Sequence, residues 1–364
     1  MLETSRREFR GGATADDQTL FKEPAVLLVG GDLSGIQDFI YTISARHAAR
    51  TLRGRSFYLQ LLNEALMRFV LRRLELPITN VIYSGGGHFY LLAPLSAQEK
   101  LPKIQAEITR LIYGQHGPAL YLALAGTPVP FNGFKAGSFR VWWDQMHVAL
   151  TAAKRQRYTE LGNEMYNLVF APPLVGGNPA NHCSVCGEDQ QTVMQHDPEY
   201  QAPAPICELC ESFAEQIGSQ LPLAAFLALG LSEPKPPQSR KALDLLQSFG
   251  MQVQFLKSAG DTVNLPGAER IVLWALGDPP QDKWPACEAA RGMHYTVRSV
   301  PPMTFDQLQQ RASGGFKRLG VLRMDVDDLG KVFRCRLGEL ATLSRLSTLS
   351  LQLSLFFEGW IAHI

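Results

Sequence analysis

Two pairs of cysteines constrain this chain more than any other feature. Cys183 and Cys186 are separated by two residues, as are Cys207 and Cys210, and twenty residues lie between the pairs. Two intervening residues make a turn tight enough for both thiolates of a pair to face one ion, and two such turns complete a tetrahedral four-cysteine site. Gly187 suits the turn after the first pair. Four cysteines suffice as ligands, so the pattern points to structural zinc, with a redox pair or an iron–sulfur centre as the alternatives and His182 as a competing ligand. Of the six cysteines, Cys287 and Cys335 stand apart. The arrangement suits a metal site in a reducing, cytoplasmic compartment better than a disulfide framework. The opening MLETSRREFRGG lacks an apolar signal core, and no uncharged apolar run reaches eighteen residues, so no membrane partner is expected.

Around this module the apolar pattern changes period. Residues 25–31 form a short buried run before Asp32, which predicts a strand. Residues 56–74 carry apolar side chains at helical spacing and stop just before Pro77. Residues 78–83 and 88–93 predict two strands joined by Ser84-Gly85-Gly86-Gly87, a hairpin. A helix over 95–112 and a strand over 118–126 follow. Strand, helix, hairpin, helix, strand is the order of a ferredoxin-like unit, of which a polymerase or cyclase palm is an elaboration. The stretch 171–205 is rich in Pro, Gly, Asn, Cys and Gln. Residues 206–229 and 240–257 show helical patterns, and 269–277 predict a strand. Residues 317–325 predict another strand, and 341–361 a long helix. The expected class is α+β: a leader (1–22), a degenerate ferredoxin-like first palm (23–170), a four-cysteine zinc module (171–215), a small mixed helical domain (216–315) and the start of a second palm (316–364).

Residues 25–32 (AVLLVGGD) and 318–325 (RLGVLRMD) are apolar runs that each end in aspartate, as two copies of one fold would give. After the second, Asp325, Asp327 and Asp328 crowd the strand end. Carboxylates at one point bind Mg²⁺ and bring nucleotide phosphates with it; equally, they cap a helix N-terminus. Net charge gives no help, since Lys+Arg is 35 and Asp+Glu 34, so any nucleic-acid contact must come from local patches. Arg46, Arg50, Arg53 and Arg55 form one such patch, with Gly54 between the last two. The cluster is either a phosphate-holding loop or a solvated helix face.

GDLSGIQDFIY (31–41), LRGRSFYL (52–59), YSGGGHFYLLAP (83–94), the four-cysteine module and MDVDDLGKVF (324–333) occur in the order that resembles the large, polymerase-like subunit of type III-A CRISPR interference complexes. The resemblance covers about residues 22–364. It implies an RNA-guided antiviral effector whose palms convert ATP into cyclic oligoadenylate when target RNA binds, and whose N-terminal HD domain cuts single-stranded DNA. Implied partners are CRISPR RNA, target RNA and neighbouring smaller subunits. On this resemblance, Asp325 and the Val326 carbonyl would hold Mg²⁺ or Mn²⁺ with ATP, and Asp327 and Asp328 have weaker claims. Ser84, Gly85, Gly86, Gly87, Arg53 and Arg55 would contact the nucleotide.

The sequence departs from the family pattern in two ways. No His-Asp dipeptide stands in residues 1–22, and Gly-Gly-Asp-Asp, the family's second-palm hairpin, does not occur. The chain is therefore expected to be inactive alone, whether it is a split gene product, a frameshifted product or an expressed fragment, and in the split case its partner would be a separately encoded C-terminal half. The competing reading is a non-catalytic scaffold of the ribonucleoprotein. A diguanylate-cyclase-like signalling protein is disfavoured, because the cysteine module and SGIQDFIY are foreign to it.

Overall fold

The computed structural model describes residues 21–43, 48–135, 137–170, 182–189, 192–195, 204–276, 283–294, 303, 305–318, 320 and 338–360. Strand β1 (Pro24–Ser34) leads through Gly35 into α1 (Ile36–Tyr41), and the 26-residue α2 spans Ala48–Arg73. Strands β2 (Val81–Gly85) and β3 (His88–Ala93), helix α3 (Leu101–His116) and β4 (Tyr121–Pro130) follow. The first sheet has the order β2-β3-β1-β4, antiparallel throughout, which is the ferredoxin-like arrangement. Central position explains why β1 is apolar on both faces. Leu27, Val29 and Leu33 meet α2 and α3, while Leu28 meets Phe139, Met146 and Leu150 of α4 (Phe139–Arg155).

Beyond α5 (Glu164–Val169), β5 (Thr192–Gln195) and β6 (Ala204–Cys207) pair as a hairpin. Helix α6 (Glu208–Ser212) runs into a π-helical turn, Phe213–Gly218. A second sheet then forms from β7 (Phe226–Leu231), β8 (Met251–Leu256), β9 (Arg270–Leu276) and β10 (Ala290–His294), with the short α7 (Ala242–Leu245) between β7 and β8. Its order is β10-β9-β7-β8, and β10 runs parallel to β9. The helical patterns expected over 206–229 and 240–257 therefore hold only in part, since each ends in a strand. FLALGL and MQVQFL are six-residue apolar runs, too short for period to separate strand from buried helix. Helices α8 (Phe305–Gln310) and α9 (Leu343–Ser354) close the described chain, with a π-helical turn over Leu355–Gly359.

One hydrophobic core joins the parts. Leu27 and Val29 of β1, Phe69 of α2, Cys207 and Cys210, Phe213, and Leu227 and Leu229 of β7 belong to a single buried cluster. Helix α2 is its axis. It buries side chains around most of its circumference, because the first sheet lies on one side and the π turn on the other. At the crossing with the π turn the two backbones nearly touch. A Cβ on Gly54 would stand 1.8 Å from the Phe213 carbonyl oxygen, and one on Gly218 2.1 Å from that of Arg50. Among the described residues no helix is long and apolar enough to cross a membrane.

Candidate functional site

A cleft of about 710 Å³ opens beside the β2–β3 hairpin. The turn is shorter than the sequence suggests. Ser84 and Gly85 are still paired strand residues, and only Gly86 and Gly87 turn, both at positive φ (59° and 82°). That conformation at two successive positions is the demand of a tight hairpin turn, and glycine meets it without strain. The Gly87 carbonyl accepts from the Leu33 amide (2.8 Å), which fixes the hairpin to the end of β1. Ser84, Gly85, Gly86 and Gly87 all line the cleft.

The facing wall comes from α2. Ser56, Gln60, Asn63 and Glu64 recur at helical spacing and make a polar stripe on a mostly apolar helix. The Asn63 amide donates to Ser84 Oγ (3.1 Å), while Asn63 Oδ1 is buried without a partner. Ser347, Thr348 and Ser354 of α9 form a third side. Trp274 of β9 and His294 of β10 form the fourth, stacked with ring centroids 4.7 Å apart. Burial pulls the His294 pKa down to about 4, so the ring is neutral at physiological pH. Asn63, Gln60, Trp274 and His294 were not singled out from sequence. The polar stripe within α2 was the available signal for the first two; no local pattern marks the others.

The two arginines expected beside a nucleotide lie elsewhere. Arg55 is buried, with 2% of its surface exposed. Its Nη1 donates to the Phe39 carbonyl (2.8 Å) and its Nη2 to Cys210 Sγ (3.2 Å). Arg53 donates to the Gly218 carbonyl (2.6 Å). Neither lines the cleft, whose described lining carries no arginine or lysine. Gly54 likewise serves the crossing of α2 with the π turn, so this stretch is neither a phosphate-holding loop nor a solvated helix face. Asp325, Val326, Asp327 and Asp328 lie outside the described residues.

On the other face of the first sheet, Asp32 stands opposite His88 in register. Its Oδ2 lies 3.2 Å from His88 Nε2 and 2.5 Å from Lys154 Nζ of α4. Burial pushes the Asp32 carboxyl up, but the His88 and Lys154 contacts together outweigh it and leave the pKa below the usual value. Burial pulls His88 down while its bond to Asp32 raises it, and the bond prevails.

The four cysteines meet as their spacing requires. Their sulfurs all lie within 4.8 Å of one another, and Cys183, Cys207 and Cys210 are buried. Gly187 turns the first knuckle at φ 74°. Backbone amides of Val185 and Cys207 donate to Cys183 Sγ (3.4 and 3.3 Å), and that of Cys210 to Cys207 Sγ (3.4 Å). A tetrahedral ion with metal–sulfur bonds of about 2.3 Å needs sulfurs roughly 3.8 Å apart, and Cys186 and Cys207 sulfurs lie at 3.9 Å. Amide donors aimed at sulfur also favour thiolates over thiols. The group fits a metal ion.

Comparison with known proteins bears on both sites. A family profile described as Csm1 subunit domain B matches residues 25–170. A Methanocaldococcus jannaschii protein, named CRISPR system single-strand-specific deoxyribonuclease Cas10/Csm1 (subtype III-A), is 30% identical over 385 residues. That alignment takes in 93% of this chain and 45% of the relative. The protein of the same name from Mycobacterium tuberculosis is 30% identical over 386 residues, covering 99% of this chain and 44% of its own length. This chain thus spans less than half the length of the curated relatives it matches. A crystal structure of a Csm1–Csm4 cassette in complex with one ATP superposes with a TM-score of 0.66 at 25% identity, over 98% of this chain and 42% of that one. A Csm1–Csm4 subcomplex of the type III-A interference complex gives 0.66 at 24% identity over the same shares.

Proposed function

The chain belongs to the Cas10/Csm1 family of type III-A CRISPR subunits, and from that premise we propose that its cleft is a nucleotide site. In the complete protein this site would bind ATP and take part in cyclic oligoadenylate synthesis when target RNA is bound. The observation that carries the reading is the cleft itself. Its volume lies in the range of small-molecule sites. Its hairpin is kept bare by glycine, and the Asn63 amide on the facing helix reaches it through the Ser84 hydroxyl. The relatives solved with ATP and with pppApA add support at 25% identity.

On this reading residues 23–170 are the first palm, 171–215 a structural zinc module, 216–315 a connecting domain and 316–364 the start of a second palm. Asp325 and the Val326 carbonyl would hold Mg²⁺ or Mn²⁺, with Asp327 and Asp328 beside them. Partners would be CRISPR RNA, target RNA, the smaller subunits that assemble with relatives of this chain, and the remainder of the large subunit.

Calorimetric titration of the full chain with ATP and Mg²⁺ tests the site. Ser84→Ala and Asn63→Leu are expected to weaken binding about 3- to 10-fold each, the size of one lost hydrogen bond. Arg72→Ala, whose side chain pairs with Glu233 and Glu269 away from the cleft, should leave it unchanged. No binding, or equal loss in all three variants, would overturn the reading. Reconstitution with a C-terminal half, partner subunits, CRISPR RNA and target RNA tests the synthase assignment separately. Nucleotide binding without oligoadenylate in that mixture would favour the scaffold reading.

A further inference from the structure

We propose that Arg55 is the counter-ion of the metal-loaded cysteine cluster and the strut through which that cluster positions α1, the helix that forms one edge of the cleft. The proposal rests on the metal reading of the four cysteines and is independent of which nucleotide the cleft takes.

The charge argument comes first. Four thiolates around a divalent ion carry two net negative charges. The cluster is largely buried, and a buried charge requires a partner. Amide dipoles supply part of the compensation. Arg55 brings a full positive charge into contact with sulfur, Nη2 to Cys210 Sγ at 3.2 Å. It is itself buried in a mostly apolar core, between the Phe39 and Phe213 rings at 4.8 and 4.9 Å. A guanidinium in that place needs an anion as much as the cluster needs a cation.

The mechanical argument follows from the other arm of the fork. Nη1 of Arg55 donates to the Phe39 carbonyl in α1. Ile36 and Ile40 of the same helix line the cleft, as do Ser56 and Phe57, the two residues after Arg55. Ile36 also lies under the Gly-Gly turn, since a Cβ on Gly87 would stand 2.2 Å from its Cδ1. A planar guanidinium bridges two sites at fixed geometry, which an ammonium does not do. Arg55 is thus a positioning residue, one that touches neither nucleotide nor metal.

Zinc retention by the purified full chain tests this. The half-time of zinc transfer to an excess of the chelating dye 4-(2-pyridylazo)resorcinol is compared among the parent, Arg55→Met, Arg55→Lys and Arg53→Met. Loss of a partner contact around metal ligands costs about 10- to 100-fold in affinity, and Arg55→Met should release zinc faster by that order. Arg55→Lys keeps the charge without the fork and should fall between. Arg53→Met removes a neighbouring bond on the same helix that does not reach sulfur, and should stay within about twofold of the parent. In the zinc-loaded parent, hydrogen exchange at residues 39–43 should be slower than in Arg55→Lys, while β3 exchanges alike in both. Parent-like retention in Arg55→Met overturns the proposal, as does equal loss in Arg53→Met. If Arg55→Met does not fold, Arg55→Lys decides: parent-like release and exchange refute the strut. A parent that takes up no zinc removes the metal premise and the proposal together, and is recognised before any variant is compared. ATP titration is a separate measurement, so a failed nucleotide site leaves this result standing.

Discussion

His116 lies inside the core with Nε2 2.8 Å from the Tyr58 hydroxyl. Burial first, then the positive charges of Arg55 and Arg240, hold its pKa at about 3. His294 is held at about 4 by burial alone. Both rings are neutral in the folded protein and titrate near 6.5 once unfolded. Between those values the unfolded chain binds more protons at these two rings than the folded one, so their contribution to stability falls as pH drops below about 6.5. The loss continues until each folded-state pKa is reached. Each histidine contributes a slope of at most about 1.4 kcal/mol per pH unit between pH 6 and pH 4. Urea midpoints at pH 7 and pH 5 should differ accordingly, and His116→Gln should flatten the difference. A pH 7 to pH 5 difference that is the same in the parent and in His116→Gln would contradict the lowered pKa of His116. Little of this was legible at the residue level. Arg55 is the instructive case, because a count of arginines suggested a surface patch. Its helical phase, shared with Tyr58, Leu62 and Leu66, places it on the apolar side of α2. Phase was the better guide to burial, and only the fold supplied the sulfur it meets.

Among the elements, the crossing of α2 with the π turn carries the sharpest stereochemical demand. Gly54 and Gly218 let the two backbones approach, and at each position a methyl group would overlap a carbonyl oxygen of the other segment. Gly54→Ala should therefore destabilise the protein by at least about 1–3 kcal/mol, the cost of overpacking where backbone must shift. Gly114 in α3 is the control, since a Cβ there meets nothing within 4 Å. Gly114→Ala should be neutral or stabilise by up to about 1 kcal/mol through helix propensity. The denaturant midpoint should fall for Gly54→Ala and hold or rise for Gly114→Ala; a Gly54→Ala midpoint no lower than that of Gly114→Ala would argue against the crossing. At this scale the first sheet was legible. Its strands alternate with one long and one shorter helix, and a glycine run marks the hairpin, although the sequence spread the turn over Ser84–Gly87 where only Gly86 and Gly87 form it. The second sheet was less so. β10 (ARGMH) is a half-exposed edge strand with one large apolar side chain, Met293, that offers no alternation to detect. β7 and β8 become strands because a neighbour lies beside each, which is a tertiary fact.

For the whole molecule, the decisive observation is that the cysteine cluster belongs to the main core. Cys183, Cys207 and Cys210 share one buried set with Leu27 of β1, Phe69 of α2 and Leu227 of β7. From the sequence, the two cysteine pairs marked a zinc module of its own over 171–215. A knuckle in that position acts instead as a joint. It holds α6 and the π turn, Phe213 packs against Phe39 and Tyr58 (ring centroids 5.4 and 5.0 Å), and Arg55 spans the gap. Metal binding and folding are one process for such sites, so removing a ligand should unload the parts of α1 and α2 that rest on the joint. Cys207→Ser in the full chain is expected to lose its metal and to speed hydrogen exchange over 204–218, 36–43 and 48–59. β3 and the middle of α3 should keep their protection, because they pack on the far part of the core, where Leu91, Ile104 and Ile108 meet β1 and the rest of α2. Exchange that rises only within 182–212 would show that the joint is contiguous in space without being coupled in energy. Exchange that rises everywhere would show a single cooperative unit with no boundary near the cluster.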